Sequence, residues 1–274
     1  MNTEALVINH FAVKSRYIGD DAAVVGSNLY SQDAFFENVH FKRSWISLYQ
    51  IGFKAMIINL SDAIAMNADP RFALVTLALP KTLHASGIAE LIAGIQDAGK
   101  KYGCEVIGGD TIANIKIDIS ITIISQTNKP LRRNHFRNGD ILAFTGDLGR
   151  SKRDLRKLIS GQKLSKNSRF VRPVLRQNFI TKSARLLNAG MDISDGLFED
   201  ARKMTSAKNL SFTPFIYVSK EQGCSGEEYE MLVSFSPRVR KALYRRAQQT
   251  RTPLTPFATI KRGKKNRFCK ANHF

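Results

Sequence analysis

Acidic residues in this sequence stand repeatedly beside glycine, serine or other turn-forming residues, where ligands are commonly bound. The first case is IGDDAAVV at residues 18–25, in which Asp20 and Asp21 are adjacent. Two neighbouring ionised carboxylates repel each other, so the pair is costly unless solvent or a cation compensates its charge. The other acids of this kind are Asp33 in SQDAFF, Asp62 in NLSDAIAM, Asp110 in IGGDT, and Asp192 and Asp195 in MDISDG.

If these loops converge, six or seven carboxylates share one cleft and need cations to remain ionised. Oxygen ligands of this kind select Mg²⁺ or Mn²⁺, and a cluster of such ions suits chemistry on polyphosphates. Hydroxyl side chains that could complete the coordination or contact phosphate oxygens lie close to these acids: Ser31, Ser61, Thr111 and Ser194. The pattern therefore predicts a metal-dependent phosphate site.

Each acid taken alone also has a structural interpretation. The Asp20–Asp21 pair could form a solvated turn, Asp62 could be a solvated position late in a helix, and Asp195 could cap the next helix. Asp110 has a better claim to a ligand, because the two glycines before it allow the backbone to approach closely. Capping and metal binding are compatible at Asp195, so both interpretations stay open there.

Hydrophobic periodicity predicts the elements that position these acids in the first half of the chain. Helical spacing is seen in residues 44–66, with Ser44 as the expected N-cap, and again in residues 86–102. Four strands are predicted, at residues 22–26, 71–79, 104–109 and 115–126. Four strands with two long helices indicate an α+β sandwich.

A polar stretch, TNKPLRRNHFRNGD at residues 127–140, separates the two halves of the chain. It predicts a boundary between two domains, 1–130 and 131–274. The second domain is expected to begin with the strand ILAFTG, followed by helices at about 151–160, at 173–188 and from about 196. Beyond residue 208 the pattern fades.

The formal net charge of +19 is unevenly distributed. Residues 1–125 carry 10 Lys+Arg against 12 Asp+Glu, whereas residues 126–274 carry 32 against 11. Such a surplus could mark a nucleic-acid surface, a phosphate-rich ligand or an ordinary solvated basic surface. The basic runs lack the interleaved aromatic residues of a single-strand binder, so nucleic acid is the less favoured partner.

The three cysteines, Cys104, Cys224 and Cys269, are scattered and show no CxxC spacing. This arrangement predicts reduced thiols in a cytoplasmic protein, with neither a disulfide framework nor a zinc site. The longest apolar stretches are too short to span a bilayer, so no membrane partner is expected.

Several of these stretches together resemble a known family, the thiamine-monophosphate kinases. They are IGDDAAVV, DAFFENVHF, NLSDAIAMNADPRFALVTLALP, IGGDT and MDISDGL, in that order, and GEEYEM at 226–231 is similar to the family's GGEDYEL. The family belongs to the superfamily of aminoimidazole ribonucleotide synthetase. The resemblance implies an α+β fold with an N-terminal four-stranded sheet that pairs with a second subunit as an inter-subunit β-barrel, and a C-terminal α+β domain.

The resemblance also implies a reaction, in which ATP phosphorylates thiamine monophosphate to thiamine diphosphate by in-line transfer with several Mg²⁺ ions and no covalent nucleophile. The family's metal positions fall on Asp21, Ser31, Asp33, Asp62, Asp110, Asp192 and Asp195, with Asp20 beside them at the start of the cluster. Its nucleotide contacts fall on Gly109, Asp110, Arg133 and Ser194, and its contacts to the thiamine phosphate fall on His40 and Glu227.

The second half departs from the family's pattern. The family has a longer segment between MDISDG and GGEDYEL, and here Glu228 stands where the family has Asp. An aromatic residue usually precedes the family's C-terminal ending, and Phe268 and Phe274 are the nearest candidates. His40 could instead be a histidine packed before Phe41.

Two other functions stay open. The first is a sister enzyme of the same superfamily with another substrate, although no cysteine precedes Cys104 where selenophosphate synthetases usually carry a reactive one. The second is a basic nucleic-acid-binding protein with a degenerate kinase domain. Retention of every acidic loop argues against degeneracy, because a protein without catalysis has no reason to keep repelling charges together.

Overall fold

The computed structural model describes residues 3–13, 15–206, 208–263 and 268–269. Its helices are α1 Thr3–Ala12, α2 Leu48–Ala65, α3 Ala85–Tyr102, α4 Arg150–Ile159, α5 Gln177–Ser183, α6 Leu197–Ser206, α7 Lys220–Gly223 and α8 Arg240–Gln249. Its strands are β1 Ala23–Val25, β2 Asn28–Phe36, β3 Asp69–Pro80, β4 Glu105–Asn114, β5 Asp118–Gln126, β6 Ile141–Thr145, β7 Ala189–Asp192, β8 Ser211–Pro214, β9 Met231–Phe235 and β10 Leu254–Lys261. The described residues therefore form a mixed α+β fold, as predicted.

The first sheet has the strand order β1-β2-β5-β3-β4. Strand β3 runs parallel to β4 through the crossover helix α3, and the other neighbours are antiparallel. Strand β5 alternates as the sequence predicts, with Ile119, Ile121 and Ile123 fully buried. One face of the sheet packs on α2 and α3, and the other faces outward.

This sheet has five strands rather than the predicted four, because β2 escaped prediction. In β2 the inward positions are Leu29, Ser31, Asp33 and Phe35. Two of these four residues are polar, so the strand lacks the apolar alternation by which a half-buried strand is recognised. The interruption of the pattern falls on two of the predicted metal-binding residues.

Helix α2 lies at the centre of the molecule, and 14 of its 18 residues are buried. Its N-cap is Ser47, whose side chain forms a capping box with Gln50, so the expected cap at Ser44 is wrong. Helix α3 crosses α2 at close range, since a Cβ added at Gly52 would lie 2.0 Å from the carbonyl oxygen of Leu91. Glycine at this crossing lets the two backbones touch.

The second sheet has the order β7-β9-β6-β10-β8 and is antiparallel throughout. Strands β8, β9 and β10 lie beyond residue 208, where the sequence pattern fades. Strands β8 and β9 are short, and β10 shifts register between Pro256 and Ala258. Helix α5 is shorter than its predicted range of 173–188. Phe212, Phe257 and Leu232 pack between this sheet and α6.

Cys224 and Cys269 form a disulfide, with their Cα atoms 5.6 Å apart, so the prediction that all three cysteines are reduced is wrong. Cys104 is a buried free thiol. The two bonded cysteines are 45 residues apart and meet only because the fold returns the chain past α7, which no local spacing reveals. Among the described residues, no helix has both the length and the apolar character needed to cross a bilayer.

Candidate active site

Three of the predicted acids converge at the junction of the two halves. Asp21, Asp62 and Asp192 each present a carboxylate oxygen, and these three oxygens lie within 4.8 Å of one another. Asp21 precedes β1, Asp62 lies on α2, and Asp192 ends β7. Three separate elements, from both sheets and the central helix, thus bring negative charge to one point.

Hydrogen bonds from α2 hold this arrangement. The Ser61 hydroxyl donates to the Asp192 carboxylate at 2.7 Å and so joins α2 to the second sheet. The Asn59 side chain accepts from the backbone N–H of Asp33 at 2.7 Å and joins α2 to β2. Ser31 donates to the Asn59 carbonyl at 3.4 Å. Sequence analysis missed Asn59, a buried amide one turn before Asp62.

The environment of the cluster opposes ionisation. Burial raises the pKa of Asp62 well above its usual range, and the charges of Asp33, Asp192 and Asp21 raise it further. Burial, followed by the Asp21 charge, raises the pKa of Asp192 to about 7, although the Ser61 hydrogen bond opposes the change. Asp33 therefore lies close enough to act on both groups. A cation in this cleft would remove the repulsion that these pKa values record.

Asp20 and Asp21 have different surroundings despite being adjacent. The two Asp20 oxygens accept from the backbone N–H of Arg133 at 2.8 Å and from the Arg132 guanidinium at 3.0 Å. Asp20 therefore anchors the segment that leads into the second half and lies outside the group of three. Asp21 pairs with the Arg133 guanidinium through Oδ1, while its buried Oδ2 has no hydrogen-bond partner in the described structure.

Arg133 brings positive charge to this cleft. Burial lowers the pKa of its guanidinium, but the carboxylates of Asp21, Asp20 and Asp192 outweigh burial and raise it overall. Its Nε is buried without a hydrogen-bond partner among the described residues. Arg133 is therefore a permanently charged donor with an unused N–H beside the three carboxylates.

The loop after β7 places Asp195 differently. Its carboxylate pairs with the Lys203 ammonium group, so it lies outside the group of three. The backbone N–H groups of Asp195 and Gly196 donate to the Asp200 carboxylate, at 3.1 and 3.0 Å. Asp200, not Asp195, thus accepts the hydrogen bonds of the backbone N–H groups just before α6. The carbonyl of Ser194 accepts from the Glu227 N–H at 2.7 Å.

Asp110 and Gly109 lie far from the cluster within one chain. Both are exposed on β4, the edge strand, and Asp110 accepts from the N–H of Thr111 at 2.8 Å. Three inter-strand steps separate β4 from Asp33 on β2, which corresponds to about 14 Å across the sheet. Within a single chain Asp110 therefore lies well away from Asp33, and its role as a metal ligand stays a prediction.

His40 closes the turn after β2, where its Nδ1 accepts from the Phe36 N–H at 3.0 Å. Its ring stacks on Phe35 with centroids 5.6 Å apart. This matches the structural interpretation of a packed histidine, and the side chain remains half-exposed. Of the two aromatic candidates near the C-terminus, Phe268 packs on Phe198 in the second core, and Phe274 lies outside the described residues.

Glu227 has a partner that sequence analysis missed. Its Oε2 accepts from the Lys54 ammonium group of α2 at 2.8 Å, and the Lys54 side chain is 0 % exposed. Glu227 and Tyr229 both have left-handed backbone conformations, with φ of 55° and 52°. Burial raises the pKa of Tyr229 well above its usual range, and the charges of Glu227, Asp33, Asp192 and Asp62 add to this. The loop thus lies against the acidic cluster.

Fold and site together define a class of protein, since residues 19–127 match the family described as AIR synthase related protein, N-terminal domain. The chain is 35% identical over 208 residues to the thiamine-monophosphate kinase of Aquifex aeolicus, covering 72% of this chain and 68% of that protein. It is 38% identical over 208 residues to that of Rhodopirellula baltica, covering 70% and 61%. It therefore belongs to the thiamine-monophosphate kinase family, as its motifs predicted.

A solved structure of the same family also matches this chain. AaThiL complexed with AMPPCP and TMP superimposes with a TM-score of 0.84 and 27% identity, covering 97% of this chain and 94% of that chain. The matched sequence segments span about two thirds of the curated relatives' length. The structural alignment extends beyond these segments into the divergent second half.

Proposed function

We propose that this protein transfers the γ-phosphoryl group of ATP to the phosphate of thiamine monophosphate, giving thiamine diphosphate and ADP. The observation that carries the proposal is the convergence of Asp21, Asp62 and Asp192 within 4.8 Å, in a chain of this family. A relative of this fold is complexed with AMPPCP, in which a methylene replaces the β,γ-bridging oxygen of ATP, and with TMP.

The three carboxylates fit Mg²⁺. They supply hard oxygen ligands. The buried Oδ2 of Asp21 has no hydrogen-bond partner in the described structure, as expected of an oxygen that binds a cation. Asp21, Asp62 and Asp192 would hold the metal, with Asp33 and Ser31 beside them on β2. When bound, Mg²⁺ neutralises phosphate charge and orients polyphosphate oxygens.

The reaction joins two anions, so the task of the chain is to hold both phosphates in line against their repulsion. Arg133, charged at every physiological pH, would donate to a phosphate oxygen of ATP, and its buried Nε–H without a partner in the described structure supports this role. The acceptor phosphate is already largely deprotonated near neutral pH, so no strong general base and no covalent nucleophile is required. Ser194 and Gly109 are the further nucleotide contacts of this proposal.

The working unit of this proposal is a homodimer. The outward face and edge of the first sheet expose Phe72, Leu74, Ile107 and Ile112, each 40–52 % accessible. Apolar groups exposed together on one sheet face are typical of a protein interface. Pairing of two such faces, as in the predicted inter-subunit barrel, is the arrangement that could bring Asp110 to a cluster it cannot reach in its own chain. The metal role of Asp110 therefore depends on the dimer.

The remaining assignments are parts of the same proposal. Asp195 would join the metal site once Lys203 releases its carboxylate. His40, whose side chain is half-buried, and Glu227 would contact thiamine monophosphate. Part of the basic excess of the second half is used inside the protein, since Arg176 pairs with Glu230 and Arg132 with Asp20, and nucleic acid stays the less favoured partner. A cytoplasmic location stays a prediction.

The proposal is tested by incubating the protein with ATP, Mg²⁺ and thiamine monophosphate and separating the thiamine esters by chromatography. Thiamine diphosphate should form in step with ADP, and free thiamine, which offers a hydroxyl in place of a phosphate, should not be converted. Formation of ADP without thiamine diphosphate, or preferential use of free thiamine, would refute the proposed acceptor.

A further inference from the structure

Lys54 carries a fully buried charged side chain. Its side chain is 0 % exposed, and its Nζ lies 3.6 Å from the centroid of the Phe170 ring and 5.6 Å from that of Phe35. Burial of an ammonium group is costly unless the charge is paired. The partner is the carboxylate of Glu227, at 2.8 Å, and this carboxylate remains 21 % exposed at the edge of the cleft.

Helix α2 sets the distance between this ion pair and the acidic cluster. Lys54 and Ser61 are seven residues apart, two helical turns, and therefore lie on one face of α2 separated by roughly 10 Å. One end of that face holds Asp192 through Ser61, and the other holds Glu227 through Lys54. A ligand whose phosphate lies at the carboxylates would extend its organic end toward Glu227.

The backbone and the side chain of Glu227 are held by different groups. Its backbone is fixed by the bonds from Glu227 N–H to the Ser194 carbonyl and from Tyr229 N–H to the Ile193 carbonyl. These bonds set the left-handed turn but leave the Glu227 side chain free to rotate about its own bonds. The Lys54 ammonium group, which lies over two aromatic rings, fixes the position of the carboxylate by its hydrogen bond.

We propose that Lys54 is a positioning residue for the acceptor: by holding the Glu227 carboxylate, it aligns the organic end of a cationic aromatic phosphate ester while the cluster holds its phosphate. The inference rests on the proposed function and goes beyond it, since it assigns a role to a residue that would not itself touch the reacting atoms. Thiamine monophosphate has the required chemistry, because its thiazolium ring carries a positive charge that a carboxylate attracts.

The test compares Lys54→Met with wild-type protein in steady-state kinetics. The KM for thiamine monophosphate should rise by about tenfold to a hundredfold, the range expected for loss of a hydrogen bond to a charged group, with the KM for ATP changed less than about twofold. Lys54→Arg should restore part of the loss. Lys101→Met removes an exposed lysine that also lies over an aromatic ring, and it should leave both KM values unchanged.

A second variant keeps the test decisive if the single variant fails to fold. Lys54→Met/Glu227→Gln removes both charges together and leaves no unpaired buried ion. Its KM for thiamine monophosphate should equal that of Glu227→Gln alone, because Lys54 acts only through Glu227. Equal rises in both substrates' KM values, or additive effects in the double variant, would overturn the inference. Absence of wild-type turnover would instead overturn the proposed function.

Discussion

Glu228 gives a quantitative prediction for stability against pH. Its carboxylate is buried, and burial raises its pKa from the usual 4.5 to about 7, although hydrogen bonds from Ser225 and from the N–H groups of Ser151 and Gly149 oppose the change. The folded state thus binds the Glu228 proton more tightly than the unfolded state. Its stabilising contribution is fully present below pH 4.5 and is lost as the pH rises to about 7.

The magnitude follows from the two pKa values. A shift of this size corresponds to about 3 kcal/mol between the protonated and ionised forms. Glu228→Gln removes the titration yet keeps an oxygen for the three donors, which all converge on Oε1 at 2.5–3.1 Å. The free energy of unfolding of the variant, minus that of wild type, should therefore increase by about 3 kcal/mol between pH 4.5 and pH 8.

The assay is urea unfolding followed by circular dichroism at several pH values between 4.5 and 8. Glu221→Gln is the matched control, because that carboxylate is 43 % exposed and its ion pair with Arg156 lies on the surface. Its difference from wild type should stay nearly constant across this range. A Glu228→Gln difference that is equally flat, or that decreases toward high pH, would refute the argument that burial controls this group.

Four further predictions concern the site and the fold. Asp62→Asn should lower turnover by at least about 10³-fold with the fold retained, because it removes a cluster carboxylate without a change of shape. Gly52→Ala should destabilise the protein by about 3 kcal/mol, since its Cβ meets the Leu91 carbonyl. Cys224→Ser should reduce the free energy of unfolding by about 4 kcal/mol through release of a 45-residue loop. Leu74→Asp should convert a dimer to a monomer in sedimentation velocity, because it places charge on an apolar interface.

Controls and contrary outcomes differ among these four variants. Gly108→Ala meets nothing closer than 3.5 Å and should cost little, so an equal loss at Gly52 and Gly108 would contradict the crossing argument. Wild-type protein treated with a dithiol should match Cys224→Ser, and unchanged stability in both would contradict the loop argument. Near-normal turnover of Asp62→Asn would contradict the proposal that the acidic cluster is needed for catalysis. A monomeric wild-type protein would contradict the proposed dimer.

Much of the first half could be predicted because its elements follow regular patterns. The long helices α2 and α3 and strand β5 repeat apolar residues at helical or alternating spacing, and the structure contains all three elements. Strand β2 escaped prediction because two of its inward positions hold polar residues, Ser31 and Asp33, which interrupt the apolar alternation. Both residues are predicted metal ligands, so the same interruption agrees with the proposed site.

The parts that could not be predicted depend on distant pairs. The Lys54–Glu227 ion pair joins residues 173 positions apart, and a lysine within an apolar helix gives no sign of its partner. The disulfide likewise depends on the path of the chain past α7. Asp110 is a different case: the motif that it shares with the family predicts a metal ligand, and its neighbours at such a site depend on the proposed dimer.

Binding of Mn²⁺, followed by electron paramagnetic resonance in the presence of AMPPCP, tests most directly whether the converging carboxylates form one cation site. Wild-type protein should bind Mn²⁺ saturably, with competition by Mg²⁺, and Asp62→Asn should weaken binding by at least about tenfold. Equal Mn²⁺ binding by wild type and Asp62→Asn would contradict the account, because the three oxygens within 4.8 Å would then hold no metal.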